Sequence, residues 1–147
     1  MSAATVLNFR RPEKAAAPES GSGTRYAGSK ILLVEDDVMI AKALSIRLKA
    51  SGYQVVTAAD AVGATALAVK ESPDLMILDI SLPGGDGFLV AQRVQKLSAT
   101  MGIPFVFITA SRQPGLREKA LSLGAQAFFE KPYDTAELLE AIEKAVA

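Results

Sequence analysis

Short apolar runs alternate with segments of helical periodicity along residues 30–147. Runs of this length, bounded by turn residues, are typical of strands buried on both faces of a sheet. Five strand–helix repeats predict a parallel sheet covered by helices on both faces. Right-handed crossovers favour the flavodoxin-like strand order 2-1-3-4-5 with five flanking helices. The predicted strands are residues 31–34, 53–57, 74–79, 105–108 and 126–129, and the predicted helices are 38–50, 61–70, 88–98, 114–123 and 135–146.

Composition excludes several classes of protein. The 147 residues include neither cysteine nor histidine, which excludes disulfides, thiolate or imidazole metal sites and a phosphohistidine on this chain. Net charge is zero and no basic stripe is present, so direct binding of nucleic acid is not expected. No apolar run has the length of a membrane span or signal peptide, and we expect a cytoplasmic protein without membrane contact.

Residues 1–29 differ in composition from the rest. Alanine, serine, glycine and proline dominate, which indicates a flexible tail ahead of one folded domain at 30–147. A short apolar patch, Val6, Leu7 and Phe9, precedes Arg10 and Arg11. This patch leaves a second interpretation open, a docking peptide for a partner.

The stretch from Asp74 to Gly87 holds the main functional candidate. Four apolar residues lead to Asp79, and a proline and three glycines follow, which cannot continue a strand. Asp79 therefore lies at the carboxyl end of a buried strand, where open α/β sheets bind ligands. We predict that Asp79 is a phosphate acceptor.

Other polar residues are predicted to converge on the same edge of the sheet. Glu35 and Asp36 follow strand 1, Thr109 ends strand 4 and Lys131 follows strand 5. Clustered carboxylates repel each other, and a hard cation with oxygen ligands relieves that cost. Mg²⁺ is the cofactor that suits this set, with Lys131 and the Thr109 hydroxyl available to phosphoryl oxygens.

Residues 30–147 resemble a response-regulator receiver domain, the phosphoacceptor of two-component signalling, with its flavodoxin-like (CheY-like) fold. No single motif is specific, but four of them occur in order at strand ends. The matching segments are 31–37 (ILLVEDD), 78–87 (LDISLPGGDG), 107–110 (FITA) and 130–132 (EKP).

The resemblance implies a role for each matching residue. Asp79 would accept a phosphoryl group from a phosphohistidine on a histidine kinase or histidine phosphotransfer protein. The implied Mg²⁺ ligands are Asp36 and Asp79 directly, Glu35 through water and the backbone carbonyl of Ser81. Thr109 and Lys131 would bind the phosphoryl oxygens, and the bond before Pro132 would be cis. Phe128 would be the switch aromatic, which turns inward as Thr109 moves. Many relatives carry tyrosine at the position of Phe128, so switching here would rest on packing alone.

The expected output is a protein contact. The sequence ends with the fifth helix, and we expect a stand-alone response regulator, a monomer or phosphorylation-dependent homodimer, that signals to a downstream protein through the face of helix 4, strand 5 and helix 5. It is expected to carry phosphotransfer and autodephosphorylation chemistry without being a dedicated enzyme.

Two other functions stay open. A phosphorylation-independent binding module could use the same fold, although neither the acidic pair nor the acceptor is missing. An aspartyl-phosphate hydrolase of the haloacid dehalogenase type would need a second aspartate two residues after Asp79, where this chain has Ser81. A flavodoxin-like cofactor protein is disfavoured because nothing here resembles a flavin phosphate loop.

Overall fold

The computed structural model describes residues 28–147, so the predicted tail lies almost entirely outside the described residues. Five parallel strands form one sheet in the order β2-β1-β3-β4-β5, which confirms the predicted topology and places β2 at an edge. The elements along the chain are β1 Lys30–Val34, α1 Val38–Ala50, β2 Gln54–Ala58, α2 Ala61–Glu71, β3 Leu75–Asp79, α3 Gly87–Lys96, β4 Phe105–Thr109, α4 Leu116–Ser122, β5 Ala127–Glu130 and α5 Thr135–Val146.

Aspartates begin four of the five helices. The carboxylate of Asp37 accepts from the N–H groups of Met39 and Ile40, at 3.0 and 3.1 Å. Asp60, Asp86 and Asp134 do the same for α2, α3 and α5. Each cap satisfies a backbone donor that the first turn leaves unpaired and places negative charge at the positive end of the helix dipole.

The sheet divides the core into two layers. On one face α2, α3 and α4 pack on alternate strand residues, around Phe107 and its ring contacts with Phe88 and Phe105. On the other face α1 and α5 cover the intervening residues, including Leu33 and Ile77. β1, β3 and β4 are apolar on both faces because helices cover both sides.

Three details of the predicted helices are wrong. The i, i+4, i+8 spacing of Ile40, Leu44 and Leu48 predicts that all three share the buried face of α1, but Ile40 is 40% exposed. Ala41 and Ser45 are buried instead, beside Leu44 and Leu48. Leu97 was expected in the third helix, but that helix ends at Lys96 and Leu97 is also 40% exposed. The fourth helix begins at Leu116 and not at Pro114, because Gly115 adopts a left-handed conformation with φ +87°.

Backbone pairing begins two residues before the predicted domain start. The Gly28 N–H donates to the Gly52 carbonyl at 2.8 Å, and the Ser29 carbonyl accepts from the Gln54 N–H at 2.9 Å. These contacts tie the chain to the turn between α1 and β2 and to the first residue of β2. Within residues 28–147, no helix combines the length and apolar character needed to cross a membrane.

Candidate functional site

The carboxyl ends of β1, β3 and β5 bring four of the predicted residues into one pocket. β1 and β3 are adjacent, with Val34 paired to Leu78, so Glu35 lies beside Asp79. Glu35, Asp36 and Asp79 each present a carboxylate oxygen, and these oxygens lie within 4.8 Å of one another. Lys131 arrives from beyond β5. We call Glu35, Asp36, Asp79 and Lys131 the acid pocket.

Lys131 links two of the carboxylates. Its ammonium nitrogen lies 2.6 Å from Oε1 of Glu35 and 2.8 Å from Oδ2 of Asp79. The second oxygen of each acid is also held: the Asp37 N–H donates to Glu35 Oε2 at 3.2 Å, and the Ser81 N–H donates to Asp79 Oδ1 at 3.0 Å. These bonds fix the orientation of Asp79 at the end of its strand.

Burial makes an unpaired charge in the acid pocket costly. The Glu35 and Asp79 side chains are 2% and 6% exposed, and that of Lys131 is 19% exposed. Burial raises the pKa of Glu35 above its ordinary value, although its hydrogen bond to Lys131 opposes the rise. Burial alone would lower the pKa of Lys131, but hydrogen bonds and charges from Asp79 and Glu35 outweigh it and raise that pKa.

Asp36 differs from the other two carboxylates of the acid pocket because it is exposed, with its carboxylate at the mouth of the pocket. Asp37, next in the chain, caps α1 through its side chain and contacts the pocket only through its N–H, which donates to Glu35. The donor set is therefore three carboxylates with oxygen ligands only. Such a set fits a hard divalent cation like Mg²⁺.

Thr109 lies next to the acid pocket without joining its hydrogen bonds. Its carbonyl accepts from the backbone N–H of Lys131 at 2.7 Å, which positions the backbone of that lysine. Its hydroxyl is buried and accepts from the Ser111 N–H at 3.0 Å. The contact of Ser81 with Asp79 is through its N–H, so its carbonyl as a metal ligand stays a prediction. The Lys131–Pro132 peptide bond is cis.

Comparison with known proteins decides the family. A sequence model described as the response regulator receiver domain matches residues 31–143. The chain belongs to the response regulator receiver domain family. Receiver domains serve two-component signalling, and phosphorylation and Mg²⁺ are characteristic of the family.

Relatives of this receiver domain are mostly longer regulators. The chain is 39% identical over 110 residues to the DNA-binding dual master transcriptional regulator RpaA of Synechocystis sp., covering 75% of this chain and 46% of RpaA. It is 39% identical over 106 residues to the response regulator PleD of Caulobacter vibrioides, covering 72% of this chain and 23% of PleD. The chain thus spans less than half the length of these relatives.

Solved receiver domains have the same fold. The chemotaxis protein CheY4 of Vibrio cholerae matches with a TM-score of 0.74 and 30% identity, covering 81% of this chain and 99% of CheY4. The receiver domain of the sensor histidine kinase PA1611 of Pseudomonas aeruginosa has a TM-score of 0.74 and 29% identity, covering 82% and 98% of the two chains. In that structure a magnesium ion is coordinated in the active site cleft.

The surroundings of Phe128, the predicted switch aromatic, include a residue that sequence reasoning missed. Phe128 is 3% exposed and packs in the core, so its ring already lies inside in this structure. The Arg117 guanidinium on α4 lies 5.0 Å from the ring centroid, within cation–π distance. One nitrogen of that guanidinium is buried without a hydrogen-bond partner. No spacing in the sequence signals this contact, because it depends on where the short helix α4 lies.

A cleft of about 620 Å³ opens beside the acid pocket toward α4. Asp36, Ser81 and Ser111 line its near side, and Gln113 and Lys119 line its far side. None of the near-side residues has a bulky side chain. The cleft therefore leaves a donor molecule or water an open approach to the mouth of the pocket.

The raised pKa of Glu35 predicts how stability depends on pH in metal-free buffer. An acid whose pKa is higher in the folded than in the unfolded state favours folding most when protonated, and this benefit is lost as pH rises through the folded-state pKa. Urea unfolding of wild type and Glu35→Gln at several pH values measures this term, because the variant cannot ionise at residue 35. We expect wild type to lose stability relative to Glu35→Gln as pH rises above about 4, the ordinary pKa of a glutamate. A difference independent of pH would contradict the raised pKa.

Proposed function

We propose that Asp79 accepts a phosphoryl group from a phosphohistidine on a histidine kinase or histidine phosphotransfer protein. The observation that carries the proposal is the acid pocket, in which Lys131 and the Ser81 N–H hold the two oxygens of the Asp79 carboxylate at a strand end. An acceptor carboxylate fixed in this way faces an incoming phosphoryl group without further ordering. Membership of the receiver family supports the same chemistry.

In the proposed transfer an oxygen of the Asp79 carboxylate forms the new bond to phosphorus, while the nitrogen–phosphorus bond of the donor breaks and the imidazole leaves. Lys131 already contacts Oδ2 of Asp79, so its ammonium is within reach of a phosphoryl oxygen on that residue. The Thr109 hydroxyl, proposed for a second oxygen, accepts from the Ser111 N–H and keeps its own O–H available to donate. This chain thereby serves as phosphoacceptor and not as a dedicated enzyme.

The three carboxylates of the acid pocket would hold Mg²⁺, with Asp36 and Asp79 as direct ligands, Glu35 through water and the Ser81 carbonyl completing the protein ligands. When bound, the ion supplies positive charge that offsets the approach of an anionic phosphoryl group to a site rich in carboxylates. Lys131 performs part of this neutralisation through its two ion pairs.

Intact-protein mass after incubation with acetyl phosphate tests the proposal. We expect wild type with Mg²⁺ to gain a labile phosphate adduct, and Asp79→Asn to gain none. Asp134→Asn is the matched control, because Asp134 caps α5 and lines neither the acid pocket nor the cleft beside it. An adduct that persists in Asp79→Asn would contradict the assignment of the acceptor. No adduct on wild type from acetyl phosphate or any phosphorylated kinase, with Mg²⁺ still bound, would favour the binding-module alternative.

The exposed first turn of α1 supports a histidine-bearing protein as the physiological donor. Val38 and Met39 are 72% and 73% exposed and directly follow the residues of the pocket. Apolar side chains beside a polar site are typical anchors for a protein partner. A donor seated on them would present its phosphohistidine to the mouth of the pocket.

Met39→Asp is therefore expected to slow phosphotransfer from the most active of a panel of phosphorylated histidine kinases by about tenfold or more, the usual effect of losing an interface anchor. The adduct formed from acetyl phosphate should be unchanged. Ile46→Asp is the control, because Ile46 is also exposed on α1 but lies two turns from the pocket. Equal slowing with the kinase and with acetyl phosphate would mean that the substitution had damaged the acid pocket itself.

We further propose that the signal leaves through protein contacts on the face formed by α4, β5 and α5. Phe128 of β5 packs beneath this face, and Arg117 of α4 connects it to the surface. Phosphorylation at Asp79 would shift an equilibrium between two arrangements of this face. Stand-alone action stays a proposal. A phosphorylation-dependent homodimer is also a proposal, and sedimentation of the phosphorylated and unphosphorylated chain tests it.

A further inference from the structure

A groove of about 1060 Å³ runs along β5 and α5 and reaches Arg117 of α4. Its floor is apolar: the half-buried rings of Phe129 and Tyr133 lie 6.2 Å apart between centroids, and Ala141 continues the floor along α5. We call this feature the β5–α5 groove. Its length and apolar floor suit the binding of an extended segment with apolar side chains.

The rim of the groove is acidic. Five carboxylates and two cations line it, namely Glu130, Asp134, Glu137, Glu140, Glu143, Arg117 and Lys144. Arg112 pairs with Glu130, and Lys144 pairs with Glu140. Among the residues described, Glu137 and Glu143 form no ion pair, and both are exposed on α5, six residues apart. A cationic occupant is therefore favoured over an anionic one.

The chain itself contains a segment of matching chemistry. Residues 6–11, with the sequence VLNFRR, combine Val6, Leu7 and Phe9 with the adjacent cations Arg10 and Arg11. We propose that this segment binds in the β5–α5 groove of the same chain, with its apolar side chains on the floor and its arginines at Glu137 and Glu143. The inference does not depend on phosphorylation of Asp79.

The length of chain between the segment and Gly28 suits this geometry. Gly28 lies in line with β1, two residues before it, and β5 lies three strand positions from β1, about 14 Å at the usual strand spacing. Sixteen residues, 12–27, connect the segment to Gly28. A coil of this length has an end-to-end distance of about 20–24 Å. Because the coil spans that distance and exceeds it by less than a factor of two, the effective concentration of the segment at the groove stays high.

Charge argues against a second copy of the domain as the occupant. A symmetric dimer through this groove would place two acidic rims against each other, and like charges facing each other oppose association. An intramolecular segment would instead cover part of the α4–β5–α5 face. A downstream protein would then have to displace it, so the tail would lower the affinity of the output surface.

Paramagnetic broadening in the full-length chain tests the proposal. The chain has no cysteine, so Ala4→Cys gives a single attachment point for a nitroxide label beside the segment. We expect amide signals of β5 and α5 to lose severalfold more intensity than those of α2, on the opposite face of the sheet. Uniform broadening, or broadening concentrated elsewhere, would overturn the proposal.

Charge reversal establishes whether the predicted contacts carry the binding. Arg10→Glu with Arg11→Glu, or Glu137→Lys with Glu143→Lys, should each remove the excess broadening, and the combined four-residue exchange should restore it. The controls are Lys14→Glu in the tail and Glu118→Lys on α4, which does not line the groove. Preferential broadening that survives either pair of reversals would contradict the assignment of these charges.

A mixture of spin-labelled chain and isotope-enriched chain without cysteine separates intramolecular from intermolecular binding. The proposal expects no preferential broadening in the mixture. Broadening of the groove signals in the mixture that grows with concentration would mean that the segment binds a second copy, and the intramolecular proposal would be wrong.

Discussion

Lys131→Met is expected to lower the free energy of unfolding by about 2–3 kcal/mol at neutral pH in metal-free buffer. Breaking a buried ion pair usually costs about 3–5 kcal/mol, and the fifth of the Lys131 side chain that is exposed reduces this figure. The variant leaves the buried carboxylates of Glu35 and Asp79 side by side without their cation. Urea unfolding followed by circular dichroism measures the loss.

Two changes of condition identify the cause of that loss. Mg²⁺ should restore much of the stability, because a divalent cation bound to the same carboxylates replaces the missing charge. Lower pH should also reduce the deficit, because removing Lys131 removes the hydrogen bond that opposes the raised pKa of Glu35, and protonated Glu35 favours folding.

Lys144→Met is the matched control for this experiment. Lys144 also pairs with a glutamate, but both side chains are largely exposed, so the expected change is within about 0.5 kcal/mol. A Lys131→Met variant as stable as wild type at neutral pH without metal would show that the acid pocket does not need its lysine. The two buried carboxylates would then be accommodated without a neighbouring cation.

Gly87→Ala is expected to cost about 3 kcal/mol of stability and to slow adduct formation at Asp79. Gly87 begins α3, and its N–H donates to the Ile80 carbonyl at 2.8 Å. A Cβ atom there would overlap the carbonyl oxygen of Asp79 and lie 3.1 Å from the Ile80 Cα. Both neighbours are backbone atoms, so the helix or the end of β3 must move, which is a severe form of overpacking.

Gly84→Ala separates this overlap from the general effect of replacing a loop glycine. Gly84 has φ +75° and open space where a Cβ would lie, so its cost is about 1–2 kcal/mol from the left-handed conformation alone. We expect this variant to form the adduct at nearly the wild-type rate. Urea unfolding and adduct mass measure the two effects in each variant. A Gly87→Ala protein with unchanged stability and adduct rate would mean that α3 can shift without moving Asp79.

The sheet and the acid pocket were largely predictable because both follow from local pattern. Buried strands read as apolar runs, and parallel topology places every carboxyl end at one edge, so Glu35, Asp79 and Lys131 converge without knowledge of any helix position. Aspartate caps were equally accessible, since Asp37 and Asp60 precede the helical patterns directly.

Details that depend on tertiary placement were not predictable. Either Ile40 or Ala41 could begin an apolar stripe through Leu44 and Leu48, and only the position of the sheet decides between them. The first turn of α1 follows the end of β1, so Ile40 is left partly exposed. The contact of Arg117 with Phe128 likewise requires the observed position of a seven-residue helix.

The pairing of Gly28 and Ser29 with the α1–β2 turn has a practical consequence for handling the protein. These contacts lie at the amino ends of the strands, whereas the acid pocket lies at their carboxyl ends. A sensor chip or bead coupled directly at Gly28, after removal of residues 1–27, would therefore face away from the pocket and leave it open to a kinase in solution. Coupling through lysines would not preserve this orientation, since Lys131 is part of the pocket itself.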